Sequence, residues 1–391
     1  MKYPRTLVIS NNSFSLTNSN GRTLGNFFIG WPKESLAQFC ISSDGPNYDI
    51  CNNYYCITDK EALKATILRA PILGKIPTKT HYEASTSDIK IRKNAFTSIV
   101  RSLIWNNDAW KQKSFFKWYN EFMPEVILIQ SGDSMFMLKI ATDLASKYNI
   151  PLLIYNSESY YFKNTSFMGQ SFFEKLWYKL YIRLYRKQFE KTINQASLTI
   201  YANELLKHDY FQKFRKPSIV LYTSSNLEFK SKIWNNTSPR FAYLGNLGLG
   251  RHLSLIEIAN ALQAINHKYK LEIYGNVPTI EIKTAFKNCS NIEYKGFADY
   301  PEVITIMHSV DVLFHTERFS NFTEYDLKYA FSTKIADSLA CGTNFLIYAP
   351  ASLACTKYLS ENKCARVVSN KRKLTSTLKC LIQKDQLRHE I

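Results

Sequence analysis

Long apolar runs are lacking in this chain of 391 residues. Its apolar stretches are short, such as VILI, PLLIY and VLFH, whereas a membrane-spanning helix needs ~20 residues. The first residues, MKYPRTLVISNN, are typical of a strand rather than of a secretion signal. These absences favour a cytoplasmic protein, either free or peripheral on a membrane.

Metal-binding patterns are lacking as well. The 8 cysteines are scattered, and Cys51 and Cys56, the closest pair, have no histidine near them to complete a zinc site. No Asp-x-Asp motif of the kind that binds a metal beside a diphosphate is present. We therefore expect reduced, mostly packed thiols, no metal and no other cofactor.

Acidic residues are few relative to basic ones. The 50 Lys and Arg against 32 Asp and Glu give a net charge of +18, with the larger excess in the first half. Such a charge suits a polyanion, an anionic bilayer or a phosphorylated substrate. A nucleic-acid-binding protein is one alternative, but the sequence contains no helix-turn-helix or RNP-like strand to read bases.

The remaining composition is that of a globular protein, and the length predicts two domains. Strand-like and helical patterns alternate, which predicts βαβ units and parallel sheets. Polar turn formers interrupt the alternation at 216–240, and six strand-like runs follow. We predict an α/β fold of two Rossmann-like domains, residues 1–217 and 218–391.

The run GNLGLGR (245–251) follows the strand-like FAYL and opens a helix. Ligands in open α/β sheets bind at the carboxyl ends of strands, where helix N-termini face anions. Gly245 and Gly250 permit a tight turn, and Arg251 offers a guanidinium fork to phosphate. The pattern predicts a phosphate contact, with a plain turn as the alternative.

The stretch FSTKIADSLACG (331–342) predicts a second part of the same site. Ser332 and Thr333 can cap a helix whose first amides, together with Lys334, face an anion. Asp337 follows one turn later on the same face, where a carboxylate suits a neutral diol such as ribose. A nucleotide needs both groups. The alternative is a simple N-cap followed by an intrahelical Lys–Asp pair.

The block DSLACGTNFLIY is similar to the EAMACG-P-V-I block of retaining GT-B glycosyltransferases, the glycogen synthase-like and lipopolysaccharide-type transferases of group 1. The second half carries further blocks in the order of that family, namely the strand–GNLGLGR–helix unit, LEIYGN, IEYKGF and SVDVLFHTE. The first half resembles the family only in its opening strand–loop–helix and its βαβ order. The resemblance implies that the two domains face each other across a cleft and that the last helix can pack back on the first domain.

The resemblance implies roles for acidic residues in the second half. Asp337 falls on the second Glu of the family's Glu-x7-Glu motif, which grips the nucleotide ribose. Tyr329 stands at the first Glu of that motif and departs from the pattern. Glu317 is our candidate for an acid facing the same cleft.

The resemblance also implies a phosphate site and a reaction. Arg251 falls on the Lys of the family's Arg/Lys phosphate pair, Asn246 occupies the Arg position, and Lys334 can supply part of the missing charge. The implied reaction transfers a sugar from a nucleotide diphosphate sugar with retention, without a metal or a protein nucleophile, while Arg251 and Lys334 stabilise the leaving phosphate. A nucleotide-sugar epimerase or hydrolase on the same scaffold is the alternative.

In the first half, NSNGRTLGNFF (18–28) follows the first strand as a predicted glycine-rich loop. Asn20, Gly21 and Arg22 are candidates for contact with donor phosphate or acceptor, with a hairpin-like loop as the alternative. Glu158, at the end of a later strand, is a candidate for acceptor binding. The acceptor implied by the resemblance is a glycan, free or lipid-linked, in surface polysaccharide or lipopolysaccharide synthesis.

Residues 171–193 predict a basic amphipathic helix. Apolar residues recur at helical spacing, namely Phe173, Leu176, Trp177, Leu180 and Leu184. Basic residues recur every fourth position, namely Lys175, Lys179, Arg183, Lys187 and Lys191. With its Trp and Tyr residues this segment is typical of a helix at an anionic membrane surface, and 92–118 repeats the mixture. The alternative is a surface helix whose Leu/Phe face packs on the sheet.

Overall fold

The computed structural model describes residues 2–15, 19–42, 45–69, 94–163, 171–230, 238–277 and 279–383. The chain divides into two compact units, residues 1–223 and 224–391. None of the described helices is long and apolar enough to cross a membrane.

The first unit is a parallel sheet with helices between its strands. The described strands are β1 (Thr6–Asn12), β2 (Leu36–Ser42), β3 (Tyr54–Cys56), β4 (Val126–Ser131), β5 (Leu152–Asn156), β6 (Leu198–Tyr201) and β7 (Ser218–Val220). The described helices are α1 (Ser19–Asn26), α2 (Asp59–Leu68), α3 (Ala95–Asn106), α4 (Lys113–Phe122), α5 (Met135–Tyr148), α6 (Phe172–Gln195) and α7 (Glu204–Phe214). The strand order is β3-β2-β1-β4-β5-β6-β7.

Strong apolar runs made β1, β4, β5 and β6 predictable, because central parallel strands are buried on both faces. The β2, β3 and β7 strands were not predicted, since they are short or contain polar residues and gain their pairing from neighbouring strands. The predicted glycine-rich loop at 18–28 is wrong over 19–26, where the chain forms helix α1.

The expectation that every cysteine is reduced is wrong for one pair. Cys40 and Cys56 stand opposite each other on the paired strands β2 and β3, with Cα atoms 4.9 Å apart, and form a disulfide. Sequence spacing did not indicate this, because the two residues meet only through strand pairing.

The second unit is a smaller parallel sheet of the same kind. Its described strands are β8 (Phe241–Leu244), β9 (Leu271–Tyr274), β10 (Ile292–Gly296), β11 (Val312–Thr316), β12 (Asn344–Tyr348) and β13 (Arg366–Val368). Its described helices are α8 (Arg251–Ile265), α9 (Ile280–Lys287), α10 (Tyr300–Ser309), α11 (Asn321–Asp326), α12 (Thr333–Ala340), α13 (Ala354–Glu361) and α14 (Leu374–Gln383). The six predicted strands are confirmed.

The strand order β10-β9-β8-β11-β12-β13 places the reversal of the sheet between β8 and β11. Loops leaving these two strands diverge, which opens a crevice at the carboxyl edge. Apolar side chains of α14, among them Leu374 and Leu378, belong to the core of this unit. Residues 384–391, the rest of the predicted last helix, lie outside the described residues.

Candidate functional site

A cavity of ≈ 360 Å³ lies at the carboxyl edge of the second sheet. Its walls come from the last residues of β8 and β9, from the residues that follow β8, β9 and β10, from α10 and from the start of α12: Leu244, Gly245, Asn246, Tyr274, Gly275, Asn276, Phe297, Ala298, Val303 and Lys334. The volume lies in the range of small-molecule sites. The cavity is next to the reversal in strand order, where ligands of such sheets bind.

Backbone hydrogen bonds join the loops below the cavity. The amide of Gly245 donates to the carbonyl of Tyr274 at 2.9 Å, and the amide of Gly275 donates to that of Gly296 at 2.7 Å. A Cβ on Gly275 would lie 1.9 Å from the Gly245 carbonyl oxygen, and its φ is +153°. Glycine at 275 therefore lets the loops after β8 and β9 approach each other.

The GNLGLGR run forms the predicted turn. The side-chain Oδ1 of Asn246 accepts from the amide of Gly248 at 2.7 Å, so this side chain shapes the turn. Gly250 caps α8 with a φ of +77°, and a Cβ there would lie 2.4 Å from Cδ of Arg318. The turn thus brings Gly245 and Asn246 to the cavity, whereas Gly250 packs against Arg318.

Lys334 brings a cation to the cavity wall. Helix α12 begins at Thr333, as predicted, and Ser332 caps it by accepting from the amide of Lys334 at 3.4 Å. The ammonium Nζ of Lys334 donates to the carbonyl of Leu244, at the end of β8, at 3.2 Å. This bond holds the charge at the edge where β8 ends and α12 begins.

Asp337 is buried one turn further along α12. Its Oδ1 accepts a hydrogen bond of 2.6 Å from Oγ of Ser225. The segment before β8 therefore fixes the carboxylate. The helix ends as predicted, with Gly342 just beyond it at a φ of +76°.

Arg251 and Glu317 form a buried ion pair. Nη2 of Arg251 lies 2.7 Å from Oε1 of Glu317, and the two side chains are only 14% and 5% exposed. Ser254 Oγ donates to the carbonyl of Glu317 at 3.1 Å. Among the described residues, Oε2 of Glu317 has no hydrogen-bond partner. Much of the charge of Arg251 is therefore balanced within the protein, and Lys334 is the cation at the cavity wall.

Burial governs the protonation of this cluster. Burial raises the pKa of the Glu317 carboxyl above its usual range, although Arg251 acts in the opposite direction. His315 Nε2 lies 3.7 Å from Oε1 of Glu317. Burial, with Arg251 and Lys334 nearby, lowers the pKa of His315 to about 3, so its imidazole is neutral at pH 7.

The low pKa of His315 predicts a loss of stability in acid. In the unfolded chain the pKa of a histidine is ~6.5. As the pH falls below that value, the unfolded state binds a proton and the folded state does not. Between pH 7.5 and 5, we expect His315 to cost the parent protein ~2 kcal/mol of unfolding free energy, at ~1.4 kcal/mol per pH unit. His315→Gln should lack this part of the loss. Urea unfolding at both pH values measures this. The exposed His208→Gln is the control, and equal losses in both variants would contradict the prediction.

Both aromatic residues of the cavity wall were missed by the sequence patterns. Phe297 follows β10 and is 67% exposed, while Tyr274 ends β9 and donates its hydroxyl to Glu272 at 2.7 Å. The exposed Phe297 ring is therefore accessible to a ligand that enters the cavity. Its place at the end of IEYKGF was the available signal.

The carboxyl edge of the first sheet carries a second polar cluster. Ser131 and Asn156 stand opposite each other at the ends of β4 and β5. Asn156 is 1% exposed, and within the described part of the chain neither its Oδ1 nor its Nδ2 has a hydrogen-bond partner. Asp133, two residues beyond β4, is also buried. Residue type alone did not indicate a role for Asp133 or Asn156.

The site residues predicted in the first half differ from one another in their exposure to solvent. Asn20 and Glu158 are exposed, and Arg22 is half-buried in α1. Gly21 is buried, and a Cβ there would lie 2.2 Å from the carbonyl oxygen of Ser13. The close approach of α1 to the end of β1 accounts for glycine at this position.

Two Rossmann-like units, each with a parallel sheet and its helices, define the GT-B fold. Solved structures of this fold match the chain along its whole length. The α,α-trehalose 6-phosphate synthase from Burkholderia multivorans matches with a TM-score of 0.56 and 12% identity, over 100% of this chain and 92% of that one. A protein named as a UDP-N-acetylglucosamine 2-epimerase from Listeria monocytogenes matches with a TM-score of 0.52 and 8% identity, over 99% and 90%.

A partial match is a mutant of TarM from S. aureus in complex with fondaparinux, α-GlcNAc-glycerol and UDP. Its TM-score is 0.45 at 12% identity, over 68% of this chain and 50% of that one. This chain therefore spans half the length of that protein. No family model and no curated protein sequence matches the chain.

Proposed function

We propose that the protein is a glycosyltransferase that moves a sugar from a nucleotide diphosphate sugar to a glycan acceptor, with retention at the anomeric carbon. The observation that carries the proposal is the ≈ 360 Å³ cavity at the carboxyl edge of the second sheet, with Lys334 in its wall. A cation beside the first amides of a helix suits a diphosphate. The remaining walls are mostly neutral, which suits the base and the sugar.

Each part of the nucleotide has a candidate partner. The ring of Phe297 can stack on the base, and Lys334 with the amides at the start of α12 can bind the diphosphate. Asp337 is our candidate for binding the ribose. A ribose hydroxyl would donate a hydrogen bond to the Asp337 carboxylate, either together with Ser225 or in its place. The fit with a neutral diol is chemical, since a carboxylate accepts hydrogen bonds from hydroxyls and repels phosphate.

The leaving phosphate would be stabilised by fixed charge. Lys334 would supply most of this stabilisation, and Arg251, which is paired with Glu317, would add a smaller positive potential. His315 stays neutral beside them and so adds no charge. We also propose that the reaction is independent of metal ions, for which activity in excess EDTA is the test.

The acceptor belongs, in our proposal, to the carboxyl edge of the first sheet. Asn156 offers a buried amide with donor and acceptor atoms for sugar hydroxyls, and Glu158, Asn20 and Arg22 are candidates nearer the surface. We further propose a lipid-linked glycan as the acceptor and surface polysaccharide or lipopolysaccharide as the product. Helix α6 would then contact an anionic membrane face.

An epimerase or hydrolase acting on a nucleotide sugar is the second candidate. The match to the protein named as a 2-epimerase spans the whole chain. Glu317, whose Oε2 is unpaired among the described residues, stands beside the neutral His315, and such groups can exchange protons. Product analysis separates the candidates, because a transferase releases nucleotide diphosphate in proportion to added acceptor, and an epimerase yields an isomeric sugar without any acceptor.

A nucleotide panel tests the site directly. We expect thermal stabilisation by at least one of the UDP- and GDP-sugars, and about tenfold weaker binding by Phe297→Ala, since base–aromatic stacking contributes ~1–3 kcal/mol. Isothermal titration measures the affinities. Phe211→Ala, at an exposed ring on α7, is the matched control. If no nucleotide binds the parent protein, the proposed function is wrong, whereas unchanged affinity in Phe297→Ala would reject only the stacking.

A further inference from the structure

Helix α6 faces the protein with its tyrosines. Tyr178, Tyr181 and Tyr185 are at most 2% exposed, and Ile182 and Phe189 are buried as well. The rings of Tyr185 and Phe189 lie 6.0 Å apart between centroids. The Leu/Phe stripe that the sequence offered as a packing face is instead exposed, so that alternative is wrong. Its residues are Phe172, Phe173, Leu176, Trp177, Leu180 and Leu184, with Phe172 78% and Phe173 72% exposed.

Helix α3 extends this apolar surface. It packs along α6, and the rings of Phe96 and Trp177 lie 4.9 Å apart between centroids. Val100 and Leu103 lie on the same face of α3 as Phe96, at spacings of four and seven residues, and all three are exposed. We call one set of exposed residues the apolar face: Phe96, Val100 and Leu103 of α3, and Phe172, Phe173, Leu176, Trp177, Leu180 and Leu184 of α6. A contiguous exposed face of this kind marks an interaction site.

Cations border the apolar face on α6. Lys175, Lys179, Arg183 and Lys187 are exposed, and with respect to the described residues none of the four side chains forms an ion pair. Lys179, Arg183 and Lys187 line a groove of ≈ 470 Å³ together with Ile182, Arg186 and Glu190. We call this the cationic groove.

The other charged groups of the cationic groove are already engaged. Arg186 donates to the carbonyls of Tyr161 and Lys163 at 2.9 and 3.0 Å. Glu190 accepts from the Tyr161 hydroxyl at 2.5 Å. Three cations therefore remain to meet an anion in this groove.

The apolar face also lies near the carboxyl edge of the sheet in the first unit. The hydroxyl of Tyr181 donates to the carbonyl of Asp133 at 2.5 Å, and that of Tyr185 to the carbonyl of Gly132 at 3.0 Å. These contacts place the middle of α6 level with the loop after β4. The first turns of α6, with Phe172 and Phe173, thus extend past the carboxyl edge that we propose for the acceptor.

We propose that the apolar face and the cationic groove together dock the protein on an anionic bilayer, with α3 and α6 lying in the interface and the groove binding lipid headgroup phosphates. Charge decides between the occupants. A second copy would bring the same cations to the contact and would be repelled, whereas anionic lipid satisfies both the apolar face and the cations. This inference rests on the proposed function in one respect only, namely that docking would bring the protein to a lipid-linked acceptor.

Liposome sedimentation tests the docking with the full chain. We expect binding to phosphatidylcholine vesicles containing roughly one third phosphatidylglycerol, and weak binding to pure phosphatidylcholine. Lys179→Glu with Arg183→Glu should weaken binding at least ~25-fold, since each lost cation costs about fivefold. Phe173→Ser with Leu176→Ser should abolish it at the same lipid concentration. Ile280→Ser and Lys283→Glu, exposed on α9 of the second unit, are the matched controls and should bind as the parent does.

Three results would overturn the docking surface: no binding by the parent, equal binding to both vesicle types, or unchanged binding in both double variants. A parent dimer that Phe173→Ser with Leu176→Ser dissociates, measured by light scattering, without lipid binding would show that a second copy covers the face. Nucleotide binding is measured separately on each variant. Retained lipid binding with no nucleotide binding would reject the proposed function and leave the docking surface standing.

Discussion

Replacing Lys334 with alanine is expected to lower kcat by about 10²–10³-fold, with a smaller change in KM. The reason is that negative charge develops on the leaving phosphate in the transition state, and removal of one fixed stabilising group of this kind costs ~2.7–4 kcal/mol. Lys334 is placed for that role by its bond to the Leu244 carbonyl at 3.2 Å. The measurement is steady-state release of nucleotide diphosphate, with the nucleotide sugar that the thermal panel selects.

Two variants separate charge from structure at this position. Lys334→Arg keeps the charge and should recover part of kcat, while Lys357→Ala removes an exposed lysine from α13 and should leave kcat unchanged. If Lys334→Ala and the parent have the same kcat, Lys334 does not act on the leaving group. A loss confined to KM would indicate a lysine that holds the donor equally well before and during the reaction.

Replacing Glu317 with alanine is expected to destabilise the second unit by about 3–5 kcal/mol. Glu317 neutralises Arg251 at 2.7 Å in a site where both side chains are largely excluded from water. Removing one partner leaves a buried charge without compensation, which is the costly way to break such a pair. The midpoint of urea unfolding, followed by circular dichroism, measures the change.

The matched control is an exposed pair of the same unit. Glu293 lies 2.8 Å from Lys295, and both are more than one third exposed. Glu293→Ala should cost no more than ~1 kcal/mol, because water screens the pair. Glu317→Ala combined with Arg251→Met should recover much of the lost stability, since the uncompensated charge is gone. Equal midpoints for Glu317→Ala and Glu293→Ala would contradict the assignment of Glu317 as the buried counter-ion.

Much of the second unit could be predicted because its local signals agree with its tertiary structure. The six apolar runs became β8 to β13, and α12 occupies the predicted residues 333–340. Capping residues and a glycine exit are short-range signals, and they need no partner elsewhere in the chain. The loop after β8 and the start of α12 were therefore candidates for one site before the fold was known.

The contacts within that site could not be predicted in the same way. Arg251 and Glu317 are separated by 66 residues, and Asp337 is bound to Ser225 across 112 residues. Sequence patterns identify chemically suitable groups but not which of them neutralise one another. Phe297, Asn156 and the Cys40–Cys56 pair were missed for the same reason, since each depends on which strand ends or strands are neighbours.

By itself, the sequence determined the alternation of strands and helices, the resemblance of the second half to GT-B transferases and the helical character of residues 171–193. Periodicity, however, places two stripes on α6 without saying which one meets the core. Only the tertiary structure decided that the tyrosines are buried and that the Phe/Leu stripe is exposed. The hydroxyls of Tyr181 and Tyr185 donate to the carbonyls of Asp133 and Gly132. Tyrosine can enter the core here because the loop after β4 supplies acceptors for its polar end.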